Sequence, residues 1–349
     1  MYWRLTPYTL IFSSLLIIAI AIWMAALWVT EFIPLVITSL LPIVLFPLFG
    51  ILPSAAVTAN YANDTTFLFM AGVFMAMALE RWDLHRRFSM KILSWFGCKP
   101  QSIMIGFMVA TFILSMFISN TAATLMMIPN ATGVLQSLRS TNCDTGDNGD
   151  RHSTDQLAKG VLLGIAYAAN TGGFASYIGT PTNLVLTSQL QAIFPDAPAL
   201  NFLEWLKFGL PIGILIAICI WAYLSLQYIR KAPPVEGLDY TFFKKRYADM
   251  GPWTREQMIV TSIFFIEICL WISKPGWEIL FKDGFVTDTT VGMLMGLMLF
   301  IIPAKSRNLS KDAIGYDEDD DDEDEEKPKI TTILDWRTAN TLPWDISTF

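Results

Sequence analysis

Two stretches of this sequence set neutral hydrogen-bonding side chains among apolar ones. Ser119, Asn120, Thr121 and Thr124 interrupt an apolar run from Ser102 to Leu138, with Ser115 four residues ahead of Ser119. Asn170, Thr171, Ser176, Thr180, Thr182 and Asn183 fall between Leu157 and Leu190, among Gly172, Gly173, Gly179 and Pro181. In hydrocarbon such groups are costly unless satisfied, and non-helical backbone is tolerated only where protein encloses it or a wet cavity borders it. A turn at Ser119 to Thr121 ends one arm in unpaired carbonyls, which suit Na+, and starts the next with unpaired N–H groups, which suit a carboxylate. Ser115 and Ser119 lie one helical turn apart, so two hydroxyls can converge on one cation. The second stretch has 34 residues, against about 20 for a straight crossing, so a helix unwound at mid-membrane is expected, interrupted at Gly172–Gly173 and again at Gly179–Pro181. Helix packing is the commoner role of a single Ser, Thr or Gly in a membrane, but two interrupted segments together supply both cation and anion ligands.

The elements that must position these residues are membrane helices. With 349 residues, 53% hydrophobic content and a mean hydropathy of +0.45, the chain has too little polar surface to cover itself in water. Spans are expected at Tyr8 to Val29, Ile33 to Leu52, Asp64 to Leu79, Phe208 to Ile229, Met258 to Ile272 and Val286 to Ile302. The first run is too long for a cleaved leader and has no clear cleavage site, so it reads as a membrane helix. The net charge of −7 is set by ten consecutive acids, Asp317 to Glu326, without which the balance is about +3. That run buries no apolar area and reads as a disordered loop. Cys98, Cys143, Cys219 and Cys269 have no metal-ligand spacing and read as free thiols.

Placing the loop from Arg81 to Gln101 in the cytoplasm puts 20 of the 24 Lys and Arg residues on that side. Only Arg4, Lys207, Lys274 and Lys282 fall outside. Ser102 to Leu138 must then start and end on the cytoplasmic side. Two full spans or a re-entrant hairpin both satisfy this, and the polar tip favours the hairpin.

Ser119-Asn120-Thr121 followed by Ala-Ala-Thr resembles the hairpin signature of the divalent-anion:sodium symporter family, the carriers of succinate, citrate and sulfate. TEFIPLVITSLLPIVLFPLFGIL from Thr30 and NDTTFLFMAGVFMAMALERWDLHRRF from Asn63 look like the same family. Gly172-Gly173 with Gly179-Thr180-Pro181-Thr182-Asn183 is similar to its unwound loop, with Thr182 where members commonly carry a second proline. The resemblance implies that Ser115, Ser119, Asn120 and the Gly172–Gly173 backbone coordinate Na+. It places Asn120, Thr121, Thr180, Pro181 and Asn183 at the anion. It also implies a homodimer in the plasma membrane, with Na+ as coupling ion and no further cofactor.

The expected fold is an all-α polytopic membrane protein, the first inverted repeat of an ion-transporter fold. Residues 1–101 would be scaffold helices and 102–190 half of a transport domain: the hairpin 102–138, a cytoplasmic loop 139–156 and the broken helix 157–190. Membrane helices at 191–302, the acidic loop 303–332 and the start of a second repeat at 333–349 complete the division. The family has a second Ser-Asn-Thr hairpin, which this sequence lacks. A rival expectation is therefore a truncated, non-transporting form that at most assembles with or inhibits a complete carrier. An enzyme is not expected, because His85 and His152 fall in loops away from the hairpin serines, and neither HExxH nor GxSxG occurs. Nor does any feature suggest nucleic-acid binding.

Overall fold

The computed structural model describes residues 7–96, 99–143, 148–194, 196–198, 200–229, 242–282, 284–304 and 331–340. Its helices are α1 Pro7–Thr30, α2 Leu35–Leu48, α3 Ser54–Tyr61, α4 Asp64–Arg81, α5 Leu84–Leu93, α6 Pro100–Ser115 and α7 Asn120–Cys143. They continue with α8 Asn148–Ala175, α9 Pro181–Ile193, α10 Phe202–Leu224, α11 Phe242–Asp249, α12 Arg255–Trp277 and α13 Asp288–Ile301. A π turn, Ser225–Ile229, extends α10. After α13, β1 Pro303–Ala304 pairs antiparallel with β2 Thr331–Thr332, and α14 Trp336–Ala339 follows.

Among the described residues four helical stretches are long and apolar enough to cross a membrane: Ile11–Thr30, Ser54–Arg81, Phe202–Ile229 and Arg255–Leu280. Leu35–Leu48, Pro100–Ser115 and Asp288–Ile301 are apolar but shorter. The sequence marks their starts. Asn63 accepts from Thr66 N–H ahead of α4, Asn201 from Glu204 N–H ahead of α10, and Thr254 with Gln257 forms a capping box ahead of α12. Pro100 and Pro181 open α6 and α9, where a missing N–H costs nothing. Asp83 takes a positive φ of 52° between α4 and α5, turning the chain sharply there.

Among the described residues, two apolar cores organise the helices, and a smaller third cluster bridges them. The first gathers Phe107 and Met108 of α6, Met127 and Val134 of α7, and Val161 and Ile165 of α8, with Leu224 and Phe243 beside them. The second joins Phe74 and Met75 of α4, Val260 and Ile263 of α12, and Met295 and Leu299 of α13. Ile333, Leu334 and Ala339 are fully buried in this second core. There Arg81 pairs with Asp335 at 2.7 Å, Trp82 Nε1 donates to Ile333 O, and Leu334 N–H donates to Leu299 O. The bridging cluster sets Tyr177 and Ile178 against Trp205, Trp271 and Val291.

Three expectations change. The helix expected to break at Gly172–Gly173 runs unbroken to Ala175, and its interruption is confined to residues 176–180. The expected loop 139–156 is helical up to Cys143 and again from Asn148. Helix α6 ends at Ser115, so Ser119 stands after a turn, not one helical step along the same rod. Cys219 and Cys269 are free and exposed. The acidic run Asp317 to Glu326, Cys98 and the last nine residues lie outside the described residues.

Candidate functional site

The C-terminal ends of α6 and α8 and the N-terminal ends of α7 and α9 meet at one place. The glycines make that meeting possible. A Cβ on Gly172 would collide with the Phe112 carbonyl oxygen of α6, and one on Gly173 would collide with Asn120 Oδ1 at the start of α7. The pair therefore lets α8 lie directly on the two arms, which is why it sits inside a helix instead of ending one. Gly179 serves the break itself, since a Cβ there would sit 2.6 Å from Gly173 O and 3.0 Å from Ser115 O. Thr180 is extended, at φ −148° and ψ 143°, as a residue before proline prefers, and Pro181 then starts α9.

At the centre, Ser115 is fully buried. Its Oγ lies 2.7 Å from Asn120 Oδ1 and 2.7 Å from the Ala169 carbonyl oxygen, so one hydroxyl hydrogen faces two acceptors. Asn120 Nδ2 donates to Asn170 Oδ1 at 3.3 Å. The result is a knot of neutral oxygens from three helices.

Around the knot the other expected residues divide. Ser119 Oγ accepts from Ala122 N–H at 3.2 Å, capping α7, and Ser119 is exposed. Thr121 is exposed in the first turn of α7. Thr180 Oγ1 lies 3.4 Å from Thr182 Oγ1, with Thr182 exposed. Asn183 behaves differently: buried, it donates to Gly173 O at 2.9 Å and to Ser176 O at 2.7 Å. Both amide hydrogens thus hold the break in shape. Ser176, also fully buried, has an Oγ without a hydrogen-bond partner. Sequence reasoning did not single out the Ala169 carbonyl, and only its place one turn before Gly172–Gly173 hints at it.

A multi-helix integral membrane protein, with neutral oxygens gathered where two helix pairs meet, is the class these features define. The chain belongs to the citrate transporter family, CitMHS, whose model matches residues 25–310. This is a family of transporters, not of enzymes. It is 36% identical over 331 residues to the sodium-dependent high-affinity dicarboxylate transporter 3 of Caenorhabditis elegans, covering 92% of this chain and 57% of that one. To the low-affinity dicarboxylate transporter 1 of the same animal it is 34% identical over 369 residues, covering 93% and 61%. To the sodium-dependent dicarboxylate transporter SdcS of Staphylococcus aureus it is 34% identical over 344 residues, covering 97% and 61%. The chain thus spans about three fifths of the length of these curated relatives.

Proposed function

We propose that this chain forms half of the binding machinery of a sodium-coupled carrier of di- or tricarboxylates. One observation carries the reading: Ser115 Oγ, Asn120 Oδ1 and Ala169 O crowd together with a single hydroxyl hydrogen among them. A small monovalent cation satisfies such a group better than one proton does, and without a fixed negative charge it is released easily. The Na+ set then comprises Ser115, Asn120, the Gly172–Gly173 backbone and the Ala169 carbonyl. Ser119 adds its remaining hydroxyl lone pair.

The anion lies on the exposed side, over the starts of α7 and α9, where Thr121, Thr180 and the Pro181 turn border it. Bound Na+ offsets part of the carboxylate charge. Asn120 serves both ions, with Oδ1 toward the cation and its amide nitrogen toward the anion. Asn183, expected among the anion ligands, is instead read as a brace for the break. The 16 residues of α6 extend about 24 Å, short of a hydrocarbon core of about 30 Å, which supports a first arm that turns back inside the membrane.

The test is uptake of radiolabelled succinate and citrate into liposomes by the carrier of relatives' length that contains this chain, alongside 22Na+ binding to the purified chain. Uptake should collapse when K+ replaces Na+. Asn120→Ala should abolish it with surface expression unchanged. Equal uptake in K+ would overturn the reading.

A further inference from the structure

Arg87 is 3% exposed, although it lies in a stretch that reads as a cytoplasmic loop. Its guanidinium donates to three consecutive backbone carbonyls: Met250 O at 2.9 Å, Gly251 O at 2.9 Å and Pro252 O at 3.3 Å. The guanidinium carbon lies over the Trp253 ring, 5.3 Å from its centroid, and over the Tyr247 ring at 6.0 Å. Neighbours on α5 reinforce the grip, for Phe88 meets Trp253 at 6.1 Å and Lys91 Nζ lies 5.2 Å from the Tyr247 ring. The three carbonyls follow the C-terminus of α11, where Gly251 takes a φ of 70°. A helix C-terminus is partially negative, so the cation is matched to its site.

The location gives this contact its meaning. Helix α5 has Leu84 in the second core and Met90, Ile92 and Leu93 in the first. Residues 242–260 make the same crossing in the opposite sense, from Phe243 in the first core to Val260 in the second. Both chain crossings are therefore covalent links between the two cores. Arg87 fastens one to the other.

We propose that Arg87 is a positioning residue for relative movement of the two cores, fusing α5 and the α11–α12 turn into one stiff crosspiece. Two separate tethers would absorb a displacement by bending. A joined pair transmits it. Lysine cannot replace arginine here, because a point-like ammonium does not reproduce a planar fork reaching three carbonyls while lying over two rings. The mechanical part rests on the packing alone, and its effect on turnover rests on the carrier reading above.

The experiment attaches spin labels to Arg86→Cys and Lys245→Cys, both exposed positions, with the four native cysteines replaced by serine. Double electron–electron resonance should give a narrow distance distribution with Arg87 present, a broad one in Arg87→Ala and an intermediate one in Arg87→Lys. A distribution that stays narrow in Arg87→Ala, measured below its melting point, overturns the joint whether or not the protein transports. In proteoliposomes Arg87→Ala should lower maximal uptake by at least about tenfold while leaving the KM values for Na+ and succinate within about twofold. Uptake at the wild-type rate, or a parallel loss of binding and turnover, overturns the positioning role. Absence of Na+-dependent uptake in the wild type would instead refute the carrier reading, leaving the resonance result to decide the joint.

Discussion

In the core built by α6, α7 and α8, the polar groups of the candidate site are neutral and gather where α6 ends, α7 starts and the last turns of α8 pass. Where α4, α12 and α13 pack, in the second core and the bridging cluster, helices run from cap to cap and the buried polar groups include charges. Lys274 pairs with Asp288 at 3.0 Å, with side-chain exposures of only 11% and 6%, and Asp288 also accepts from Phe202 N–H at 2.6 Å. Glu267 is 2% exposed, and its Oε1 has no hydrogen-bond partner. The difference separates two jobs. On the proposed reading, the oxygens at the interrupted helices take and release a cation at small cost, whereas a buried ion pair is expensive to open and suits parts that keep their arrangement.

The strongest way to break this contrast is at the ion pair. Asp288→Ala strands Lys274 and removes an acceptor from the start of α10, so it should destabilise the protein by about 3–5 kcal/mol in a melting or denaturant measurement. A negligible loss would show that the α12–α13 packing is no more rigid than the first core. Next comes Gly172→Ala, which forces α8 off the Phe112 carbonyl. It should cost about 1–3 kcal/mol and also abolish 22Na+ binding, whereas Asp288→Ala in its surviving folded fraction should keep that binding.

Glu267→Met should act in the opposite direction. It removes a buried carboxyl without a partner and should raise stability by about 1 kcal/mol, seen as a higher melting midpoint. The smallest effect concerns Asp335. Burial pushes its carboxyl up, but Thr338 and the Arg81 guanidinium outweigh that and hold it below the ordinary range. Its contribution is thus present above the unfolded carboxylate value of about 3.9 and is lost as pH falls through the lowered native value. Because Asp335 is partly exposed, Asp335→Asn should cost at most about 0.5 kcal/mol, read as faster amide exchange at Ile333 and Leu334.

Much of this was legible in the residues. Asn63 before α4, the polar tip between α6 and α7, and Pro181 opening α9 each act through neighbours within a few positions, so their local chemistry announces them. The Gly172–Gly173 pair misled because a glycine pair signals either a break or a close approach. What decides is Phe112 and Asn120, more than 50 residues away in sequence. Asn183 has a structural part that its sequence neighbours do not announce. Its partners, Gly173 and Ser176, become acceptors only once the chain has folded back at 176–180. Arg87 counted merely as one more basic loop residue, since the carbonyls it grips lie over 160 residues downstream.

The pairing of β1 with β2 has a practical consequence. The 26 residues between these strands begin and end at adjacent points, and the returning strand leads into a fully buried Ile333 and Leu334. A protease cut between positions 305 and 330 should therefore leave two polypeptides that still purify together, and a fluorescent domain spliced there should leave the rest of the fold undisturbed.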